Sequence, residues 1–244
     1  MNQQFLTELK AVTAENRIFT DEPMKKHTTF RVGGPADILV QPKGTELAAV
    51  IRLCRKYDVP YQVIGNGSNL LVGDRGIRGL VIEMLSKEDE ICVEDDCITV
   101  GAGMLLSKTA NRAAEHGLTG MEFAAGIPGR IGGAVVMNAG AYGGEMKDIL
   151  TAVTVLDQEG NEKILSAEEL ELGYRTSCIL KKGYIVTGAK IKLKHGEETA
   201  IRARMEELKK QRVEKQPREY PRAGSTFYRP EGYCAGYLLM DGGV

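Results

Sequence analysis

The apolar run YQVI (61–64) is followed at once by GNGSN (65–69), and the chain then returns to Leu70, Leu71 and Val72. A hairpin turn requires only about two special residues. Five consecutive small or amide residues need a further reason, and the texture recurs. The 29 glycines cluster at 65–79, 101–103, 117–144 and 224–243. Glycine lets a backbone come close to another backbone or to a ligand. Any fold for this chain must therefore bring bare main chain against something at several places.

Between the clusters the elements are regular. ADILVQP (36–42) alternates like a strand, and TELAAVIRLCRKYD (45–58) has apolar residues at 47, 50, 51 and 54, the spacing of one helix face. Pro60 stops that helix, and YQVI is the next strand, so a β-α-β unit ends on GNGSN. LVIEM (80–84) and CITVGAG (97–103) read as strands, and MLLSKTANRAAEHG (104–117) reads as a helix stopped by a glycine. TAVTVLD (151–157) and EKILS (162–166) form a hairpin around 158–161, and YIVTGAKIKL (184–193) is a long strand. EETAIRARMEELKKQRVEKQ (197–216) is a charged helix ended by Pro217. A boundary falls near 195–200. The order is α/β first, then mixed α+β with hairpins, then a short third piece.

Composition excludes several functions. The net charge is −1, so no bulk field draws the protein to nucleic acid or to a membrane surface. No apolar run approaches the roughly 20 residues that span a bilayer. The N-terminal MNQQFLTELKAVTAEN has no signal-peptide core, which makes the cytoplasm the default location. Five cysteines without a CxxC pair, and three histidines (27, 116, 195) far apart, supply no metal-ligand set. The thiols are expected to be reduced and mostly buried. Nothing demands a partner chain, and a monomer is expected.

Main-chain N–H groups of a Gly/Ser/Asn loop can converge on an anion, which suits the pyrophosphate of a dinucleotide. GNGSN has no lysine, unlike a P-loop, and is not a GxGxxG opening a helix. Taken alone it could equally be a wide turn that binds nothing. The second cluster, GMEFAAGIPGRIGGAVVMNAGAYGGE (120–145), is too rich in small residues for an ordinary helix. Pro128 can start a helix, but Gly129, Gly132 and Gly133 then cost about 1 kcal/mol each in its interior. Close packing of elements is one reason to accept that cost. Contact with a flat or anionic ligand is the other. Two such clusters on successive units suggest a dinucleotide between them.

Five segments occur in order: HTTFRVGGPAD (27–37), GNGSNLLVGDRGIRGLVI (65–82), AAGIPGRIGGAVVMNAGAYGGE (124–145), GYRTS (173–177) and AGSTFYRP (223–230). Together they resemble the UDP-N-acetylenolpyruvoylglucosamine reductases, flavoenzymes of peptidoglycan precursor synthesis, from about residue 20 onward. The branch resembled is the one without a tyrosine-bearing insertion after the YR-S motif. The resemblance implies an α+β chain. It has an N-terminal helix (1–20) and a two-subdomain FAD-binding fold of the vanillyl-alcohol-oxidase type (21–95 and 96–196). A substrate domain (197–244) follows, which looks incomplete.

The resemblance also implies roles. Gly65, Asn66, Gly67, Ser68, Asn69 and Leu70 would cradle the FAD pyrophosphate. Gly126, Ile127, Pro128, Gly129, Gly132, Gly133, Asn138, Ala139, Gly140 and Ala141 would line the flavin. NADPH would be the reductant, and the flavin is expected to be non-covalent, since His27 and Cys97 lie outside the glycine loops. Arg175 matches the catalytic arginine and Ser225 the proton donor. Tyr174 would be a wall of the substrate pocket or part of the core. Arg212 would meet the substrate diphosphate, whereas Lys209 and Lys210 fit a solvated helix face. The family's third catalytic group, a glutamate near the C-terminus, has no match here. Two alternatives stay open: an FAD-dependent oxidase of the same fold, and a flavin-binding fragment with little catalysis, which the missing glutamate supports.

Overall fold

The computed structural model describes residues 3–86, 91–215, 220–224, 227 and 235–242. Its first body contains α1 (Gln3–Val12), β1 (Ile18–Pro23), β2 (Pro35–Val40), α2 (Glu46–Lys56), β3 (Tyr61–Ile64) and β4 (Ile77–Glu83). The strands lie in the order β1-β2-β4-β3. β4 runs parallel to both β2 and β3, and β1 is antiparallel to β2. The apolar stripe read from the sequence is the one that packs. Leu47, Val50, Ile51 and Cys54 of α2 are buried against Ile38, Val40, Leu80 and Ile82, and Phe5 and Leu9 of α1 complete the cluster. Each large side chain so buried contributes about 1.5–3 kcal/mol. The same burial pushes the Cys54 thiol up to about 12. Glu46 in the first turn of α2 accepts two hydrogen bonds from Arg17, at 2.6 and 2.7 Å, and its charge suits the positive helix end.

The N-terminal helix is shorter than expected. It ends at Val12, and residues 18–20 already belong to β1. IFTDEP does not alternate in polarity. It becomes a strand because it pairs with β2, from Ile18↔Val40 to Pro23↔Pro35. β1 is the edge of its sheet, where a proline is tolerated.

The second sheet is wholly antiparallel. It contains β5 (Ile91–Glu94), β6 (Cys97–Gly101), β10 (Leu150–Leu156), β11 (Glu162–Ser166) and β12 (Ile185–Lys192), in the order β11-β10-β12-β6-β5. The chain passes from one sheet to the other between Glu83 and Ile91, a few residues before the division at 95/96 expected from the sequence. The hairpin around 158–161 forms. Asp157 accepts the backbone N–H groups of Asn161 and Glu159 at 2.9 and 3.0 Å, and these bonds, the Asn161 one foremost, bring its carboxyl down to about 2. Three helices attach to this body: α3 (Leu106–Glu115), α4 (Ile131–Val136) and α5 (Cys178–Lys182). Two small pairings close its loops, β7 (Leu118–Thr119) with β13 (Lys194–His195) and β8 (Gly140–Ala141) with β9 (Gly144–Glu145).

α6 (Glu198–Lys215) and α7 (Ala235–Asp241) follow. α6 buries only Ile201 and Leu208 and pairs its charges along its own surface, Arg202 with Glu198 and Lys209 with Glu206. Among the described cysteines, Cys54 and Cys178 are buried. Cys92 is exposed and Cys97 half-buried, against the expectation, because Cys92 points outward from the edge strand β5. Cys234 lies outside the described residues. Among the described residues no helix is long and apolar enough to cross a membrane, and no His/Cys/Asp/Glu group could hold a metal.

Candidate flavin site

The loop after β3 and the segment leading into α4 meet. Asn66 Nδ2 donates to the Pro128 carbonyl at 2.9 Å. A Cβ placed on Gly65 would touch the Arg130 side chain at 3.2 Å, and one on Gly129 would lie 3.8 Å from Ser68 Oγ. The two glycine clusters, 62 residues apart at the Asn66–Pro128 bond, therefore form the walls of one cleft. Leu70 does something else: it packs beside the small core of Met24, Ala36, Leu39, Ile64, Val72 and Val81.

α4 starts at Ile131 rather than at the proline, and its first turn sits on the loop that follows β6. Gly132 N–H donates to the Ala102 carbonyl at 2.8 Å, and the Gly129 carbonyl accepts from Leu106 at 3.0 Å. Ile127 and Ala139 pack beside the second core. Gly140 and Ala141 form β8, and the Ala139 carbonyl accepts from Met146. On Gly133 a Cβ would meet nothing within 4 Å, so that glycine faces open space.

GYRTS is a tight turn. Gly173 and Thr176 exchange backbone hydrogen bonds at 3.1 and 3.3 Å, with Tyr174 and Arg175 at the tip. Arg175 has φ of 55°, a left-handed conformation that costs a branched or long residue energy and recurs at functional sites. The buried Asn138 ties this turn to the second glycine-rich segment. Its Nδ2 donates to Glu145 Oε2 at 2.8 Å and to the Gly173 carbonyl at 3.2 Å, and its Oδ1 accepts from Lys147 N–H at 2.9 Å. Ser177, fully buried, donates to the Val136 carbonyl at 2.7 Å. Tyr174 is 55% exposed, which removes it from the core, and the Arg175 guanidinium carbon lies 5.5 Å from its ring centre.

Arg212 leaves α6 toward the same cleft. A Cβ on Gly126 would come 3.2 Å from its Cδ, so its stem lies over the flavin-lining segment. Ser225 is outside the described residues. The residues just before it are placed: Arg222 N–H donates to the Thr29 carbonyl at 3.3 Å, and Thr29 Oγ1 donates to the Arg222 carbonyl at 2.7 Å. A Cβ on Gly224 would lie 3.9 Å from Asn69 Oδ1.

Four ionisable residues escaped the sequence reading: Arg130, His27, Glu83 and Glu22. Arg130 donates through Nη1 to the Gly103 carbonyl, while its Nε is buried without a hydrogen-bond partner. Burial lowers the pKa of its guanidinium, and Glu83 opposes that shift. His27 stands between Glu83 and Glu22 behind the 65–69 loop. No local pattern announces any of these, because the partners are 5 to 56 residues apart.

A cleft walled by two bare backbone segments, with open space at Gly133 and an arginine whose Nε lacks a partner, fits a doubly phosphorylated dinucleotide. A family model described as an FAD binding domain matches residues 36–166. The 4-ethylphenol oxidase from Gulosibacter chungangensis has the same fold at 15% identity, with a TM-score of 0.59, covering 79% of this chain and 42% of that one. The protein carries an FAD-binding domain and has the two-subdomain α+β fold of the vanillyl-alcohol-oxidase type.

Nearer relatives narrow the class. The UDP-N-acetylenolpyruvoylglucosamine reductase of Agathobacter rectalis is 51% identical over 256 residues, which cover 100% of this chain and 82% of that protein. The crystal structure of UDP-N-acetylenolpyruvylglucosamine reductase from Thermus caldophilus is 41% identical, with a TM-score of 0.77, covering 91% of this chain and 78% of that one. The chain belongs to the UDP-N-acetylenolpyruvoylglucosamine reductase family.

Proposed function

We propose that this protein reduces the enolpyruvyl ether of UDP-N-acetylglucosamine enolpyruvate to UDP-N-acetylmuramate in the cytoplasm, with NADPH as reductant. The observation that carries the reading is convergence. The 65–69 loop, the 126–138 segment, the arginine turn and the approach to Ser225 are joined by direct hydrogen bonds or contacts through Pro128, Asn138, Thr29 and Asn69.

Residues 65–70 would hold the diphosphate of FAD, and Gly126–Gly129, Gly132, Gly133 and Asn138–Ala141 would line its ring. The chemistry FAD supplies when bound is transfer of hydride from NADPH to the terminal carbon of the enolpyruvyl group. Negative charge then develops on the adjacent carbon and its carboxylate. Arg175 holds that carboxylate through its planar fork, which keeps its charge in a dry site, and so stabilises the transition state electrostatically. Tyr174 forms a wall beside it. Ser225 delivers the proton to the adjacent carbon, completing addition of hydride and proton across the double bond. A hydroxyl is a weak acid, so this step draws on a neighbouring cation or water. Arg212, whose stem already crosses Gly126, binds the substrate diphosphate. The body that ends with β4 and the body that begins with β5 act as the two cofactor subdomains, and the chain from 197 on carries substrate contacts.

Rapid mixing tests these roles. Ser225→Ala and Arg175→Lys are expected to leave reduction by NADPH intact and to slow flavin reoxidation by the enolpyruvyl nucleotide about 10²-fold or more. Reoxidation at the native rate in either variant removes that residue from the mechanism.

A further inference from the structure

His27 is not explained by the glycine loops or by the proposed chemistry. Its Nδ1 lies 3.1 Å from Glu83 Oε2 and its Nε2 lies 3.2 Å from Glu22 Oε1. A neutral imidazole carries one N–H and cannot donate to both carboxylates; the imidazolium can. Glu83, on β4, is only 8% exposed and also accepts from Gln41 Nε2 at 2.7 Å. The charged groups around the ring are Glu22 from β1, Glu83 from β4 and Lys26 from the ring's own turn, 3.1 Å from Glu22. Arg130, ahead of α4, adds positive charge on the Glu83 side.

The main chain of this residue is the floor of the diphosphate loop. A Cβ on Gly67 would stand 2.0 Å from the His27 carbonyl oxygen, and Thr29 N–H donates to the Gly67 carbonyl at 3.3 Å. Thr29 is also the residue that pairs with Arg222 on the way to Ser225. One side chain thus anchors the backbone on which both the loop and the serine segment rest.

We propose that the Glu22–His27–Glu83 clamp positions the diphosphate loop, and that FAD is held tightly only while His27 is doubly protonated. This rests on the reading that residues 65–69 hold the diphosphate. Loss of the second proton takes the imidazole donor from one carboxylate, leaving it Gln41 or Lys26 alone, and leaves two anions facing a neutral ring. The hydrogen bond to Glu83 raises the His27 pKa above its ordinary value of 6.5, against the opposing effect of burial. Burial alone would raise Glu83 and Glu22, but hydrogen bonds, from His27 first, bring both below the usual carboxylate value. The carboxylates therefore stay charged across the window that matters. With His27 raised in the folded state, the clamp is complete below about pH 6.5 and is lost as pH rises through the higher folded value.

The test is FAD uptake by the full-length apoprotein, followed by quenching of flavin fluorescence between pH 6 and 9.5. The dissociation constant of the native protein is expected to rise at least about tenfold across the titration, the change that one pH unit of linkage produces. Glu22→Gln is expected to move the midpoint to lower pH, and His27→Gln to bind weakly with no pH dependence in this range. If His27→Gln fails to fold, the midpoint shift in Glu22→Gln decides. Tight uptake independent of pH overturns the clamp alone, as does a His27→Gln profile identical to the native one. No uptake at any pH overturns the loop reading and the clamp with it.

Discussion

In the stretch 65–79, a methyl group on Gly67 would stand 2.0 Å from the His27 carbonyl, and one on Gly76 would stand 1.7 Å from the Pro35 carbonyl. In the stretch 126–133, the same methyl on Gly133 would meet nothing within 4 Å, and on Gly129 its nearest neighbour would be 3.6 Å away. The residue type is the same and the cause differs. The first stretch uses glycine to press main chain against main chain, which fixes the loop's shape. The second keeps Gly133 in a short helix where packing would accept a side chain, at about 1 kcal/mol, although its neighbour Gly132 is pressed against Ala102. An empty space maintained at that cost is room for a ligand. A rigid loop on one side and a bare wall on the other is what a cofactor with a charged middle and a flat ring requires.

The contrast can be broken experimentally. Gly67→Ala is expected to have the largest effect. The left-handed backbone itself costs about 1–2 kcal/mol, and the overlap with the His27 carbonyl adds to it, so thermal unfolding should drop sharply and flavin uptake should vanish. A variant with native melting would show that the loop is not pinned. Gly133→Ala should divide stability from binding. The apoprotein is expected to gain up to about 1 kcal/mol in denaturant unfolding, while its affinity for FAD falls. Unchanged affinity would mean that the open space serves no ligand. Asn66→Ala should be mildest: loss of the bond to Pro128 costs about 0.5–1.5 kcal/mol, seen as a small shift in the unfolding midpoint.

Much of the scaffold was readable because it is local. The 47/50/51/54 spacing named the buried face of α2 before any partner was known, and the turn at 158–161 was marked by its own residues. β1 was not readable, because Ile18–Pro23 owes its conformation to β2 rather than to its own pattern. The glycine loops stood out because glycine enrichment is visible in one dimension. The contacts that give them shape were hidden. His27 meets Glu83 across 56 residues, and Thr29 meets Arg222 across 193. Arg130 was quoted within a motif but stood among glycines that drew the attention, and only its burial beside Gly65 and Glu83 marks it. For Arg175 and Tyr174 the resemblance supplied the role; the left-handed turn and its tie to Asn138 supply a physical reason for the placement.

The pairing of Thr29 with Arg222 has a bearing on how the molecule is made. Translation delivers the first partner early and the second only after both sheets have left the ribosome, so this clasp is among the last contacts a nascent chain can close. Bridging so many residues carries a loop-closure cost that earlier folding must already have reduced. The order of synthesis thus gives the loop at 65–69 time to take shape before residues 220–224 arrive beside Thr29.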